Sequence, residues 1–287
     1  MTKIPQGARA VVTGAGSGFG RAIALELASR RARVLATDID AASLEETVSM
    51  LRAQGAEAQS MLIDVRDPAR VGAMAERAQE LWGGTDVLVN NAGVAVAGEV
   101  GEIPLEDWKW QIDINLWGVI HGCHHFVPAM KKQKGGWILN VASIAGVTSA
   151  PMMSPYNVTK AAVIALSETL ATELASDRIT VTALCPSFFR TNIHKTTRSH
   201  RPDAQGRTEK LVTEARWGAD EIAREALAGL DHGRLYVMPQ LDAKLIWGAK
   251  RAFGGGYFSA LGALVRLGVF DRLMGRGGSE EHAQEGR

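Results

Sequence analysis

Residues 8–20 read ARAVVTGAGSGFG, a short apolar run that enters a glycine-rich turn and then a helical pattern from Arg21 to Arg30. Ala8 to Thr13 reads as a buried strand. Glycines at 14, 16, 18 and 20 allow a tight turn. They also let backbone N–H groups approach a pyrophosphate at a helix N-terminus, where the helix dipole favours anions. The strict G-x-G-x-x-G spacing is absent, because Phe19 stands where its last glycine would be; Gly14, Gly18 and Gly20 fit G-x-x-x-G-x-G. A plain tight connection is the bland reading. Its place between a first strand and a first helix favours dinucleotide binding.

The alternation continues along the chain. Strands are expected at Arg33–Thr37, Ala58–Ile63, Asp86–Asn90, Trp137–Ala142, Ile179–Leu184 and Leu235–Met238. Helices are expected at Ala42–Gln54, Pro68–Trp82, across Leu105–Lys132, from Tyr156 onward, and at Ala219–Leu230. Strands separated by helices imply right-handed crossovers and a parallel sheet covered on both faces. No linker divides residues 1–240, so these form one domain, with a substrate loop at 187–217.

The second strand runs to Asp38. A carboxylate there accepts hydrogen bonds from both adenosine ribose hydroxyls and repels a 2′-phosphate. No Arg or Lys lies between Gly14 and Gly20, and Ile39 follows Asp38. The expected cofactor is therefore NAD, with NADP the lesser alternative. Capping of the next helix by Asp38, as by Asp40, is the bland reading.

Tyr156 and Lys160 are four residues apart in a segment rich in helix formers, so they share a helix face. An ammonium near a phenol favours phenolate and lowers its pKa, which suits a proton donor and acceptor. Alone, Tyr-x-x-x-Lys is a weak signal.

Composition narrows the function classes. Hydrophobic content of 46% and a net charge of +1 describe a soluble protein with no basic field for nucleic acid. Cys123 and Cys185 have no paired or metal-type spacing, which suits a reducing compartment. Neither a signal segment nor an uncharged run of the ~20 residues that a spanning helix needs is present. The expected location is the cytoplasm.

Thr13-Gly14-x-x-x-Gly18-x-Gly20, Asn90-Asn91-Ala92-Gly93, Asn115, Ser143 and Tyr156-x-x-x-Lys160 occur together and in order. In this the chain resembles the one-domain branch of the short-chain dehydrogenase/reductase family. The resemblance covers the chain to about residue 240. It implies an α/β, Rossmann-type doubly wound seven-stranded parallel sheet in the order 3-2-1-4-5-6-7. It also implies hydride transfer between nicotinamide and an alcohol or ketone. By that resemblance Tyr156 is the acid/base, Lys160 lowers its pKa and binds the nicotinamide ribose, and Ser143 holds the substrate oxygen. Asn115 holds a water linking Lys160 to solvent. The cofactor set would be Gly14, Ser17, Gly18, Phe19, Gly20, Asp38, Asp64, Val65, Asn91, Tyr156, Lys160, Pro186 and Thr191. Within it, Asp64 meets the adenine amino group and Thr191 the carboxamide. Asn90 would shape the pocket and brace the fourth strand. One departure is visible: Ser187 stands where a glycine usually follows Pro186.

Other features have plainer readings. His121, His124 and His125 are at helical spacings, but no Cys, Asp or Glu joins them at ligand spacing, so surface packing is expected and no metal. Segment 187–217 carries Arg190, His194, Lys195, Arg198, His200 and Arg201 and a polar RPDAQGRTEK run, read as a mobile loop covering the substrate. An anionic substrate is the sharper alternative. Residues 241–274 form an apolar, amphipathic helical C-terminal extension with a Gly254-Gly255-Gly256 hinge. Core or subunit packing is its default reading, ahead of substrate capping and membrane contact. Residues 275–287 read as a disordered tail.

The expected function is NAD-dependent interconversion of a fairly apolar secondary alcohol and its ketone, in a homotetramer or homodimer. A non-catalytic NAD(H) sensor or scaffold on the same fold is the alternative, weakened because Asn115, Ser143, Tyr156 and Lys160 are all present. Epimerisation or dehydration usually accompanies a larger C-terminal domain.

Overall fold

The computed structural model describes residues 3–199 and 202–268; the expected tail at 275–287 lies outside the described residues. Among the described residues nine strands occur in chain order: β1 (Arg9–Thr13), β2 (Arg33–Asp38), β3 (Ala58–Leu62), β4 (Val87–Asn90), β5 (Val96–Ala97), β6 (Gly136–Val141), β7 (Ile179–Leu184), β8 (Arg198–Ser199) and β9 (Tyr236–Val237). Seven form one all-parallel sheet in the order β3-β2-β1-β4-β6-β7-β9, while β5 and β8 pair separately. Leaving out that small pair, the order is the 3-2-1-4-5-6-7 expected from sequence.

Burial on both faces explains the unbroken apolar strands. Val11, Leu35 and Leu88 face one helical layer with Met74, Phe126 and Val163; Val12, Val34 and Val89 face the other with Ile23, Leu27 and Leu227. Register is pinned at the amino ends of β1 and β4, where Arg9 Nη2 meets Asp86 Oδ1 at 2.5 Å and Arg9 Nε donates to Asp86 Oδ2 at 2.8 Å. At the other end, Asn90 Nδ2 donates to Asn140 Oδ1 at 2.9 Å, and Asn140 Nδ2 to Ser167 Oγ at 3.0 Å. Asn90 thus braces β4 against β6, as the resemblance implied.

Helix starts follow local chemistry. Asp40 caps Ala41–Ala53 by accepting from Ser43 N at 2.8 Å, and Asp67 caps Pro68–Trp82, whose Pro68 occupies the first turn. Three elements differ from the sequence reading. Leu105–Lys132 is helical throughout, as expected, but not uniformly α: Leu105–Ile112 and Gly118–Gln133 are joined by a π-helical turn, Asp113–Trp117. The polar run read as a mobile loop is mostly helix, Pro202–Thr213, started by Pro202 and anchored by the buried Val212. The C-terminal extension forms helices Leu241–Phe253 and Gly255–Arg266, in which only Ala243 is fully buried, so packing into the core does not account for it.

Candidate functional site

The carboxyl ends of the central strands open into a cavity of about 780 Å³. Every residue of the catalytic and cofactor sets named from sequence lines it except Asn115, and Asn90, expected to shape the pocket, lies behind it in the strand layer. At one end is the glycine turn. Asn91 Nδ2 donates to Thr13 O at 2.8 Å and to Gly14 O at 3.0 Å, fixing the turn against β4. A Cβ on Gly20 would lie 1.9 Å from Gly14 O, so only glycine lets the turn close onto the helix Gly18–Ser29. That helix has no side-chain cap at Ser17 and no acidic residue in its first turn. Its leading N–H groups and positive dipole end are therefore left for an anion. These features fit a dinucleotide pyrophosphate.

Asp38, at the tip of β2, accepts from Gly16 N at 2.8 Å through one oxygen and from Ile39 N at 2.7 Å through the other. Asp40 N also donates to the second oxygen, at 3.1 Å, so the carboxylate is held in place with capacity left on the oxygen that faces Gly16. Two nearby arginines are committed elsewhere. Arg21 donates to Gly16 O and to Glu46 Oε2, each at 2.6 Å. Arg66 grips Asp64, holding that carboxyl below the usual carboxylate range, and the two stand with Val65 along the wall. Across the cavity, Thr191 lies against the turn: a Cβ on Gly18 would sit 2.8 Å from its Oγ1.

At the centre stand Ser143, Tyr156 and Lys160. Tyr156 and Lys160 project from Ser154–Glu173, which begins earlier than the helix-forming run suggests because Pro155 starts it. Lys160 Nζ donates to Val141 O at 2.7 Å and lies 5.6 Å from the Tyr156 ring centroid. Burial pulls the lysine down to about 8. The Tyr156 phenol is pushed up to about 12, chiefly by burial, with the hydrogen bond to Ser143 pulling the other way. The depressed phenol expected from sequence is therefore not found in the ligand-free protein. The ammonium sits beside the ring and is directed to a strand carbonyl, so desolvation of the hydroxyl wins. Ser143 Oγ accepts from Ala145 N at 3.1 Å, which orients its hydroxyl towards the Tyr156 oxygen.

Asn115 is fully buried in the π-helical turn. Its oxygen accepts from Val94 N and its amide donates to Val94 O, both at 2.8 Å. It thus fixes the loop after β4, one wall of the cavity, from behind. A π-turn displaces a side chain in this way without breaking the helix.

Beyond Tyr156 the lining turns apolar: Trp110, Ile114 and Met153 on one side, Phe188, Ile193 and Leu211 on the other. Ile246, Tyr257 and Leu261, from the two C-terminal helices, complete a roof. Pro186 O accepts from Ile144 N at 3.0 Å, joining the loop after β7 to the Ser143 loop. Two basic residues of the lid, Arg190 and Arg198, are employed structurally. Arg190 donates to Ala215 O at 2.6 Å and Arg216 O at 2.8 Å. Arg198 pairs with Asp107 at 2.6 Å and lies 3.7 Å over the Trp110 ring. His200 and Arg201 lie outside the described residues. His121 Nδ1 contacts Val65 O at 2.9 Å, and the His124 and His125 rings pack against each other. Among the described residues no group of His, Cys, Asp or Glu is placed to hold a metal.

Comparison with known proteins decides the family. The family model described as short chain dehydrogenase matches residues 8–202. The chain belongs to the short-chain dehydrogenase/reductase family. This is a family of nicotinamide-dependent oxidoreductases. Oxidoreductase UcpA of Escherichia coli K12 is 33% identical over 267 residues, covering 92% of this chain and 98% of its own. The "Probable oxidoreductase EphD" of Mycobacterium tuberculosis is 35% identical over 90% of this chain. The chain spans only 44% of that relative's length. A short-chain dehydrogenase/reductase from Burkholderia phymatum, solved in complex with NAD, superposes with a TM-score of 0.84 at 34% identity, over 88% of this chain and 95% of that one.

Within this family frame, sequence reasoning could offer Phe188, Phe189, Ile193 and Met153 as an apolar pocket, which the lining includes, but it missed three other residues of the substrate half. Trp110, Ile114 and Leu211 reach the cavity only through tertiary packing. Pro202 ahead of a run ending in Leu211-Val212 was the one local signal for the lid helix.

Proposed function

We propose that the protein is an NAD-dependent dehydrogenase/reductase that moves hydride between nicotinamide and the carbinol carbon of a fairly apolar secondary alcohol. The observation supporting this is a single cavity that has Ser143, Tyr156 and Lys160 at its centre, the glycine turn and Asp38 at one end, and an apolar chamber at the other.

A bound nicotinamide supplies the hydride acceptor or donor. The protein supplies proton handling and position. In reduction, the protonated Tyr156 hydroxyl gives its proton to the developing alkoxide while the Ser143 hydroxyl, redirected from Tyr156, steadies that oxygen. In oxidation, Tyr156 takes the alcohol proton, and the Lys160 ammonium favours the phenolate that this requires. Ribose hydroxyls donating to Asp38 favour NAD. A 2′-phosphate meets a carboxylate there, with Arg21 and Arg66 already committed. The apolar lining supports a medium-sized, uncharged substrate. Exposed Trp117, in the π-helical turn, and Val158, on Ser154–Glu173, are apolar surface that supports a homo-oligomer.

The test is turnover by the purified protein with NAD or NADP and a panel of secondary alcohols, followed by reduced-nicotinamide absorbance. NAD-dependent oxidation of apolar members supports the reading. Silence across the panel, with tight NADH binding, favours a non-catalytic sensor.

A further inference from the structure

The first of the two C-terminal helices carries apolar side chains on opposite faces, where an ordinary surface helix carries one apolar stripe; in the second, cavity-lining and exposed apolar residues share one broad side. In Leu241–Phe253 the inward positions are Ala243, Ile246 and Trp247. Ala243 is buried, Ile246 lines the cavity, and Trp247 packs on Tyr236 with ring centroids 5.0 Å apart. Leu241 and Leu245 lie on the opposite side, 69% and 64% exposed, with Phe253 beyond them at 71%. In Gly255–Arg266, Tyr257 and Leu261 line the cavity while Phe258, Leu264 and Val265 are exposed. No charged residue occurs between Arg251 and Arg266.

An apolar surface of this extent marks a docking face, and its charge indicates the partner. Residues 241–268 hold Lys244, Lys250, Arg251 and Arg266 against Asp242 alone. Lys244 is exposed beside the Leu241/Leu245 stripe; Arg251, one heptad on and also exposed, lies 4.8 Å over the Trp247 ring with its edge open to solvent. Lys250 is turned inward, donating to Val147 O at 2.6 Å. A second copy meeting this face about a two-fold axis would bring the same cations together. A layer of anionic lipid headgroups satisfies the cations and the apolar stripe at once.

We propose that this helix pair docks the protein on an anionic membrane surface, lying in the headgroup region with its outward apolar side chains among the acyl-chain ends. The contact is interfacial: no helix among the described residues is long and apolar enough to cross a membrane. Because the inner faces of the same helices roof the cavity, docking sets the apolar chamber beside the lipid, a natural source of an apolar alcohol. That last step rests on the hydride-transfer reading; docking does not.

The test is co-sedimentation of the full chain with vesicles of phosphatidylcholine alone or mixed with phosphatidylglycerol, without cofactor or substrate, so its outcome is independent of turnover. Two variants change only exposed residues: Lys244→Glu/Arg251→Glu and Leu245→Asn/Phe253→Asn. Binding to the mixed vesicles, weakened by salt, is expected, with about a fivefold loss for each basic residue removed. The apolar variant should also lose binding. Failure to bind mixed vesicles, or equal binding to both compositions with no effect of the charge variant, overturns the proposal. So does a dimer in sedimentation velocity that dissociates in the Leu245→Asn/Phe253→Asn variant while vesicle binding is nil.

Discussion

The Ser187 hydroxyl donates to Asp242 Oδ2 across 2.5 Å, joining the loop after Pro186 to the first turn of the roof. Gln240 adds two stitches, accepting from Ser187 N at 3.1 Å and donating to Phe188 O at 3.3 Å. Serine in place of the family's usual glycine therefore has a structural use: the loop after β7 and the helical roof of the cavity are held together.

Asp242→Ala should loosen the roof and leave the glycine turn untouched. A partly exposed, charge-assisted hydrogen bond is worth about 1 kcal/mol, so KM for a bulky alcohol should rise about fivefold with the NADH dissociation constant unchanged. Steady-state kinetics with fluorescence titration of NADH checks both. A KM equal to that of the parent protein contradicts the latch.

Asp38→Ser should narrow the preference for NAD over NADP by about tenfold or more, through the lost repulsion of a 2′-phosphate. The ratio of kcat/KM for the two cofactors measures it. An unchanged ratio removes Asp38 from ribose recognition.

Gly20→Ala should abolish cofactor binding and cost about 1–3 kcal/mol of stability, because its Cβ would fall 1.9 Å from Gly14 O. Urea unfolding and NADH titration read the two effects. Parent-like binding would mean that the turn can open.

Lys160 gives a pH signature. Its folded pKa, about 8, lies below the ordinary value of about 10.5. Folding is thus opposed while the group is protonated in both states, and this cost fades as pH rises from about 8 through the unfolded value. Relative to Lys160→Met, the ligand-free parent should gain on the order of 3 kcal/mol between pH ~8 and ~10.5. Urea midpoints across that range test it, and a flat difference contradicts a desolvated ammonium.

Much of this architecture was legible because it is local. Val11-Val12-Thr13 running into glycines, and Tyr156 one turn from Lys160, declare a strand, a turn and a helix face by period and propensity alone. Burial energies are not local. Tyr156 lies high, not low, because the residues that enclose it come from several loops. Asn115 could be singled out by type, yet its commitment to the Val94 backbone depends on a π-turn that helical periodicity does not signal. The roof was apolar on inspection, but which of its faces met the cavity depended on where Gln240 and Ser187 brought it.

The most direct test of the central claim is turnover by Tyr156→Phe, a change that removes one hydroxyl from the cavity. With NAD and an alcohol oxidised by the parent protein, kcat should fall by about 10²-fold or more while NADH binds with parent affinity. A variant that binds NADH and turns over at the parent rate would contradict the assignment of Tyr156 as the proton donor and acceptor.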